Sequence, residues 1–292
     1  MRCFPAFLLA LAVALAPATV LARGKHVLWT VQGEQNTVYL LGSIHVLREG
    51  DAALSAVAER AYGDSERLVM EVDLDDPGET DPLAMLEVTQ RLGLLPEGQS
   101  LRGILGSDYA SLNRRAQQAG LDLAPLDRFA PWLVATTLLQ IELARRGFSA
   151  ELGLEQVLAR RADDDDKPIQ GLETTAQQLE LLAGMPMPMQ KHFLAMTLDE
   201  SAELDREIGE LVRAWKTGDT EALAGLLSDE FDEFPDLYRR LTVDRNRAWV
   251  DKLTELLDDR DDYLVVVGAL HLVGDDSVVD LLEQQGYEVV QQ

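Results

Sequence analysis

The feature that most constrains this chain is a short phrase that occurs twice. Residues 38–47 read VYLLGSIHVL and residues 264–273 read LVVVGALHLV. Each is an apolar, partly β-branched run, then Gly-x-x-His, then two more apolar residues. A run of that length reads as a buried strand. Gly42 and Gly268 then let the backbone leave the sheet sharply, or let another group approach closely. His45 and His271 arrive three residues later, just past the strand's carboxyl end, the edge at which open α/β sheets bind ligands. Helices are expected to open at Asp51 and at Asp275, so both copies read strand, turn, His, helix. The bland alternative is two strand–Gly turns that carry structural histidines by coincidence. Two matching contexts in a chain with four His favour a metal or acid–base site assembled from distant sequence.

The first 22 residues, MRCFPAFLLALAVALAPATVLA, have an Arg near the start, an apolar centre and a small-residue end at Val20-x-Ala22. That is the pattern of a secretory signal peptide, with a cut expected after Ala22. Pro5 and Pro17 break the apolar run, which is too short for a transmembrane helix. No stable membrane insertion is therefore expected after cleavage. The chain's one cysteine, Cys3, leaves with the signal, so the mature chain forms no disulfide. Export without Cys suits a bacterial periplasm or secretion, since an oxidising compartment permits disulfides without requiring them.

Residues 23–292 are enough for one domain with a substantial core. The chain has 51 acidic against 26 basic residues, a net charge of −25. This argues against nucleic-acid and anionic-membrane partners, which need basic surfaces. The runs Asp163–Asp166 and Asp258–Asp262 lack the glycine-spaced pattern of a calcium loop and read as solvated charge.

His26–Gln32 and Asn36–Leu41 flank Gly33-Glu34-Gln35 as a β-hairpin. Arg67–Val72 reads as the next strand and delivers Glu71 and Asp73 at its end. Periodicity predicts helices over Asp81–Leu92, Asp108–Ala119, Pro131–Arg146 and Glu151–Ala162. Lys167–Leu172 is a short strand ending at Glu173, with Thr174 and Thr175 placed to cap a helix over Ala176–Ala183. Met185, Met187 and Met189 alternate with prolines. Soft sulfur donors can bind copper, but the plainer reading is a Pro-rich joint whose Met side chains pack on neighbouring helices. His192 follows in a helical stretch with no second ligand at metal spacing in the sequence, so a surface or helix-packing role is the default reading.

Further helices are expected over Gln190–Thr217, Thr220–Leu227 and Glu230–Leu241, and Val243–Asp258 is amphipathic. A core strand over Tyr263–Val267, a helix over Ser277–Gln284 and a strand over Tyr287–Val290 close the chain. The fold class is α/β (α+β): a central mixed sheet built from the two ends of the chain, with a large helical insertion. Core strands fall within residues 26–73, 167–173 and 263–290, and the mainly helical parts span 77–165 and 174–258.

Four polar groups leave strand ends: His45, Glu71, Glu173 and His271. Imidazole with carboxylate suits zinc, manganese, cobalt or iron. A bound cation lowers the pKa of water and polarises a carbonyl, so it supports hydrolysis without a Ser or Cys nucleophile. No G-x-S-x-G elbow, HExxH, Walker or Rossmann glycine loop occurs. Glu71 is placed as a ligand or general base, against the alternative of a carboxylate solvated at the sheet edge. Glu173 reads either as a catalytic carboxylate or as a favourable charge at the start of the next helix. Arg245 and Asn246, expected just before a helix, suit binding of a substrate carboxylate or an oxyanion. Their alternative is an ion pair or cap at that helix start.

With these residues the chain resembles the TraB/GumN family, related to the Tiki proteases and more remotely to the erythromycin-esterase-like superfamily. The resemblance covers nearly all of residues 26–292. Its carriers are LLGSIH (Leu40–His45), MEVD (Met70–Asp73), KPIQGLET (Lys167–Thr174), Arg245-Asn246 with Trp249 nearby, and VVGALH (Val266–His271). It implies an α/β core with a helical insertion and a divalent-metal hydrolase, above all a peptidase. His45 and His271 match the motif histidines, Glu71 the glutamate and Arg245 the arginine. The metal implied is Mn, Co or Zn, and the substrate a peptide or small molecule. Members named for pheromone shutdown leave open a protein that sequesters a ligand without turnover. The esterase-like relatives leave open a metal-free hydrolase with His as general base. In GLEQVLARRA (Gly153–Ala162) the chain departs from the family pattern, with Glu155 where many relatives carry aspartate.

Overall fold

The computed structural model describes residues 25–51, 53–118, 120–199, 204–231 and 235–292. The expected signal peptide, with Cys3, lies outside the described residues. The strands are β1 (Leu28–Gln32), β2 (Thr37–Ser43), β3 (Arg67–Met70), β4 (Ile169–Gly171), β5 (Tyr263–Gly268) and β6 (Val289–Gln291). They form one mixed sheet in the order β4-β3-β5-β2-β1-β6. The hairpin partners β1 and β2 are antiparallel, and β6 is antiparallel to β1. The other neighbours, β2–β5, β5–β3 and β3–β4, are parallel. The two ends of the chain thus meet in the middle of one sheet, as the repeated phrase implied.

β5 is buried along its whole length, which explains its unbroken apolar run: a central parallel strand has no solvent face. Val265 and Val267 point into a core with Trp249, Val250, Leu253 and Leu257 of helix Asp244–Leu257. Leu264 and Val266 point the other way, onto Ala58, Ala61 and Tyr62 of helix Ala56–Asp64 and Leu154, Leu158 and Ala162 of helix Leu154–Asp164. A separate core joins the helices of the insertion, with Leu101, Leu105, Trp132, Leu138 and Leu194 buried together. Met185 is buried in that core and Met189 packs against it, at the joint between helices Thr175–Ala183 and Met187–Asp199. The Pro-rich stretch is therefore a packed joint, with Met185 and Met189 packed into that core. His192 lies on helix Met187–Asp199.

Several expected boundaries move, each for a local reason. The helix after the first Gly-x-x-His starts at Ala56 rather than Asp51, because Ser55 accepts the Ala58 amide and caps it there. After the second, a short 3-10 turn covers Ala269–Leu272, and the helix starts at Val278 with Ser277 as its cap rather than at Asp275. Glu151 belongs to a 3-10 turn, Ala150–Leu152, and extended Gly153 separates it from helix Leu154–Asp164. The single helix expected over Gln190–Thr217 is two, Met187–Asp199 and Leu204–Thr217, with residues 200–203 outside the described ones.

The expected boundary before Arg245 is also absent. Pro235–Tyr238 runs through a π-turn, Arg239–Val243, directly into Asp244–Leu257. Val243 is helical and makes no side-chain cap, so Arg245 and Asn246 sit inside a helical run and do not cap its start. The acidic run near Asp258 ties down the sheet's other edge: Asp262 accepts the Thr37 amide at 2.6 Å, and Asp261 pairs with Arg67 at 2.7 Å. Among the described residues no helix is long and apolar enough to cross a membrane.

Candidate active site

Each of the four polar residues expected at strand ends follows a different strand, and those strands are adjacent. His45 follows β2, His271 follows β5, Glu71 follows β3 and Glu173 follows β4. These four strands run parallel to one another. Register aligns Ser43 with Gly268, and Met70 with Val266 and Gly171. Their carboxyl ends therefore form one edge, the position at which open α/β sheets present ligand groups.

Gly268 marks the centre of this edge. A Cβ there would stand 3.3 Å from Glu71 Oε1, 3.4 Å from His45 Nε2 and 3.5 Å from His271 Cδ2. Three groups separated widely in sequence thus share one small space, kept open because residue 268 has no side chain. Gly42, level with Val267 on β2, plays the close-approach part: its Cβ would meet Val27 Cγ1 at 2.4 Å and the Ala269 backbone at 3.0 Å.

His271 is buried, and its proton position is fixed from behind. Asn246 is fully buried, its amide nitrogen donates to the Asp276 carbonyl at 2.8 Å, and its Oδ1 lies 2.6 Å from His271 Nδ1. The amide orientation makes Oδ1 the acceptor, so Nδ1 carries the hydrogen and Nε2 carries the lone pair. Burial pushes the His271 pKa down to about 3, only partly opposed by Glu71. The ring packs on Trp249 at 4.5 Å between centroids. Asn246, expected to touch substrate, instead sits behind the imidazole and orients it.

Arg245 ties the remaining groups together. Its Nη1 stands 3.0 Å from His271 Nε2, its Nη2 donates to Glu71 Oε2 at 2.7 Å, and its Nε donates to Glu173 Oε1 at 3.0 Å. The guanidinium also lies over the Trp249 ring at 4.6 Å. Gln178 donates to both carboxylates, at 3.0 Å to Glu71 and 2.9 Å to Glu173. Glu71 Oε1 accepts the Gly268 amide at 2.8 Å. Burial pushes Glu71 up, but His271, His45, Arg245 and that amide outweigh it and hold its pKa near 2. Burial pulls Arg245 down, and Glu71 and Glu173 more than restore it. Glu71 is thus kept ionised despite its burial, with a fixed cation among the groups that hold it so.

His45 is the open member of the set, with its side chain 64% exposed. Its Nδ1 pairs with Glu155 Oε1 at 2.6 Å. Ser43, buried at the end of β2, donates to the same Glu155 oxygen. Although one side of the ring is open, the protein packed around its other sides presses the His45 pKa down, but the Glu155 carboxylate overrides this and raises it to about 9. Gln178 and Ser43 were not singled out from sequence. Ser43 lies between the Gly and the His of the motif, which is a usable signal, whereas nothing marks Gln178 within its helix.

The donor set suits a divalent ion: two imidazoles and a carboxylate, with both Nδ1 atoms engaged by acceptors and Nε2 left for a ligand, as metal-binding histidines are held. The space over Gly268 is of the size one small group would fill. As placed, Arg245 stands against His271 Nε2 and Glu71. Among the described residues no group of three His, Cys, Asp or Glu is drawn together around an ion position.

A profile of the TraB/PrgY/gumN family matches residues 27–291. The chain is 26% identical over 265 residues to the uncharacterized protein YbaP of Escherichia coli K12, covering 89% of this chain and 94% of that one. It is 25% identical over 320 aligned residues to metalloprotease TIKI2 of Xenopus tropicalis, covering 90% of this chain and 59% of that one. It is 23% identical over 321 aligned residues to metalloprotease TIKI1 of Homo sapiens, covering 90% and 61%. The Tiki proteins are thus much longer than the part this chain matches. No solved structure matches it significantly.

Proposed function

This chain belongs to the TraB/PrgY/gumN family, and from that premise we propose that it is a divalent-metal-dependent hydrolase, specifically a peptidase, that acts after export. The observation that carries the reading is the convergence of His45 Nε2, His271 and Glu71 on the space over Gly268. The metalloprotease names of the Tiki relatives supply the reaction class. His45, His271 and Glu71 would hold the ion, of which Mn, Co and Zn are the candidates. When bound, such an ion supplies Lewis acidity and a nucleophile from water at neutral pH.

The chain's own residues supply the rest. Asn246 fixes the His271 tautomer. Arg245 offers a guanidinium at the site's edge, where negative charge grows on a carbonyl oxygen during amide hydrolysis. Glu173 and Gln178 fix that guanidinium in place. The acidic surface fits a peptide or small-molecule substrate rather than nucleic acid.

The test is elemental analysis of the chain expressed from residue 23, equilibrated with mixed Mn, Co and Zn, beside His45→Ala and His271→Ala. Each variant is also screened against a peptide library. About one ion per chain, lost together with peptide turnover in both variants, supports the assignment. Full occupancy and full turnover in either variant would refute it.

A second reading keeps the hydrolase and drops the metal. It is favoured by Arg245, which stands against two of the three donors. His45, paired with Glu155 and open to solvent, would then act as the base once it has lost its proton, a step that Glu155 holds back to about pH 9. Turnover that survives exhaustive chelation selects this reading, and turnover abolished by chelation and restored by metal selects the first.

A further inference from the structure

We propose that Glu155 is a positioning residue of this site: it holds His45 with the proton on Nδ1, so that Nε2 is the nitrogen presented to the space over Gly268. The inference rests on the reading that His45 acts through Nε2.

Glu155 is buried, in the first turn of helix Leu154–Asp164. The unpaired amides of a helix start favour a carboxylate there. Its Oε1 accepts from both His45 Nδ1 and Ser43 Oγ, so the side chain is held by two donors at one oxygen. The helix that carries it is docked on the His45 backbone. A Cβ on Gly153 would stand 2.2 Å from the His45 carbonyl oxygen, and the Leu154 amide donates to the Ile44 carbonyl at 3.2 Å. Only glycine permits that approach, and the approach brings Glu155 to the imidazole.

The second histidine shows the same device. Asn246 Oδ1 lies 2.6 Å from His271 Nδ1, and Glu155 Oε1 lies 2.6 Å from His45 Nδ1. Each acceptor is on a helix packed against the strand that precedes its histidine's turn. Both rings are therefore turned the same way, with Nε2 inward. His271 is also enclosed by Trp249 and Arg245. His45 is open to solvent on its other sides, so Glu155 is what sets its tautomer and ring orientation.

The experiment uses the full chain with 15N-labelled histidine, stripped of metal, in an alkaline buffer where the imidazoles are neutral. Ring-nitrogen shifts are compared between wild type, Glu155→Met and Glu155→Gln, with His45 assigned by its loss in His45→Gln. The expected wild-type signature is a protonated Nδ1 and a bare Nε2. Glu155→Met, similar in bulk but without an acceptor, moves the proton toward Nε2. Glu155→Gln keeps an acceptor oxygen and restores the wild-type pattern. An unchanged His45 signature in Glu155→Met overturns the proposal. Mn2+ affinity is the second readout. Glu155→Met weakens it by about 10- to 100-fold, the usual effect of losing a group that orients a metal ligand, Glu155→Gln recovers most of it, and undiminished affinity in Glu155→Met also overturns the proposal. If the wild-type chain binds no Mn2+, the metal reading fails, and the nitrogen comparison alone decides the role of Glu155.

Discussion

Nη1 of Arg245 stands 3.0 Å from Nε2 of His271, the ring nitrogen that Asn246 leaves without a proton. The same guanidinium serves Glu71 and Glu173, all three side chains being largely buried. Arg245→Ala would leave two carboxylates facing neutral donors, Gln178 and the Gly268 amide, with no cation between them. Breaking a buried charge pair costs about 3–5 kcal/mol. Urea unfolding in chelator should show a loss of that order, and added Mn2+ should recover part of it by replacing the missing positive charge. Curves that coincide with wild type would contradict the account of Arg245 as the site's fixed cation.

Asn246 makes a narrower prediction. Asn246→Ala leaves the buried His271 Nδ1–H and the Asp276 carbonyl without their present partner. An unsatisfied buried polar group costs about 1–3 kcal/mol. The loss should appear in unfolding, together with about 10- to 100-fold weaker metal binding. Because Asn246 is buried, a change confined to KM with metal affinity intact would instead indicate direct substrate contact.

The strand ends were readable because parallel central strands leave a strong trace: an unbroken apolar run that ends in polar residues, through Gly-x-x-His at two of the strands and directly at Glu71 on the third. That trace located His45, His271 and Glu71, and the sheet then brought them together. It failed at Arg245 and Asn246. Both were read as the entrance to a helix, but the π-turn through Arg239–Val243 carries the helical run past them without a cap. Gln178 and Ser43 were missed for a related reason. Their partners come from other elements, and polar residues in a helix turn or beside a glycine carry no periodic signal of such contacts. Glu155 stood out only as a departure from a family pattern, because Gly153, which docks its helix on His45, looks like any loop glycine in sequence.

The pH dependence of stability follows from three groups. Glu71, despite burial, is held near 2 by His271, His45 and Arg245, and burial holds His271 near 3. Burial lowers His45, but Glu155 raises it to about 9. The unfolded reference values are about 4.3 for Glu and about 6.5 for His. In acid the unfolded chain therefore binds more protons at Glu71 and His271, and stability is lost as the pH falls from about 6.5 toward 2. In mild alkali the folded chain binds more at His45, and that contribution is lost as the pH rises from about 6.5 through about 9. Unfolding free energy measured in chelator should peak between about pH 6 and 7. A profile that rises steadily from acid to pH 9 would be inconsistent with the His45–Glu155 pair.

Gly268→Ala separates the site from the fold. Gly268 has φ −50° and ψ 132°, a conformation open to any L-residue, so alanine brings no backbone strain. Its methyl group would enter the space between Glu71 Oε1, His45 Nε2 and His271 Cδ2, at 3.3 to 3.5 Å from each. Those contacts are tight but need only a small shift of side-chain tips, one of them on the exposed His45. The variant should therefore fold, with an unfolding free energy within about 1–3 kcal/mol of wild type, the range for modest overpacking. Metal occupancy and turnover should both fall steeply, because the methyl group takes the volume the three donors share. Retained turnover with retained metal would place the chemistry elsewhere on the sheet edge. Retained turnover without metal would favour His45 acting as a base on its own, since its Nε2 can turn outward to solvent while His271 and Glu71 cannot.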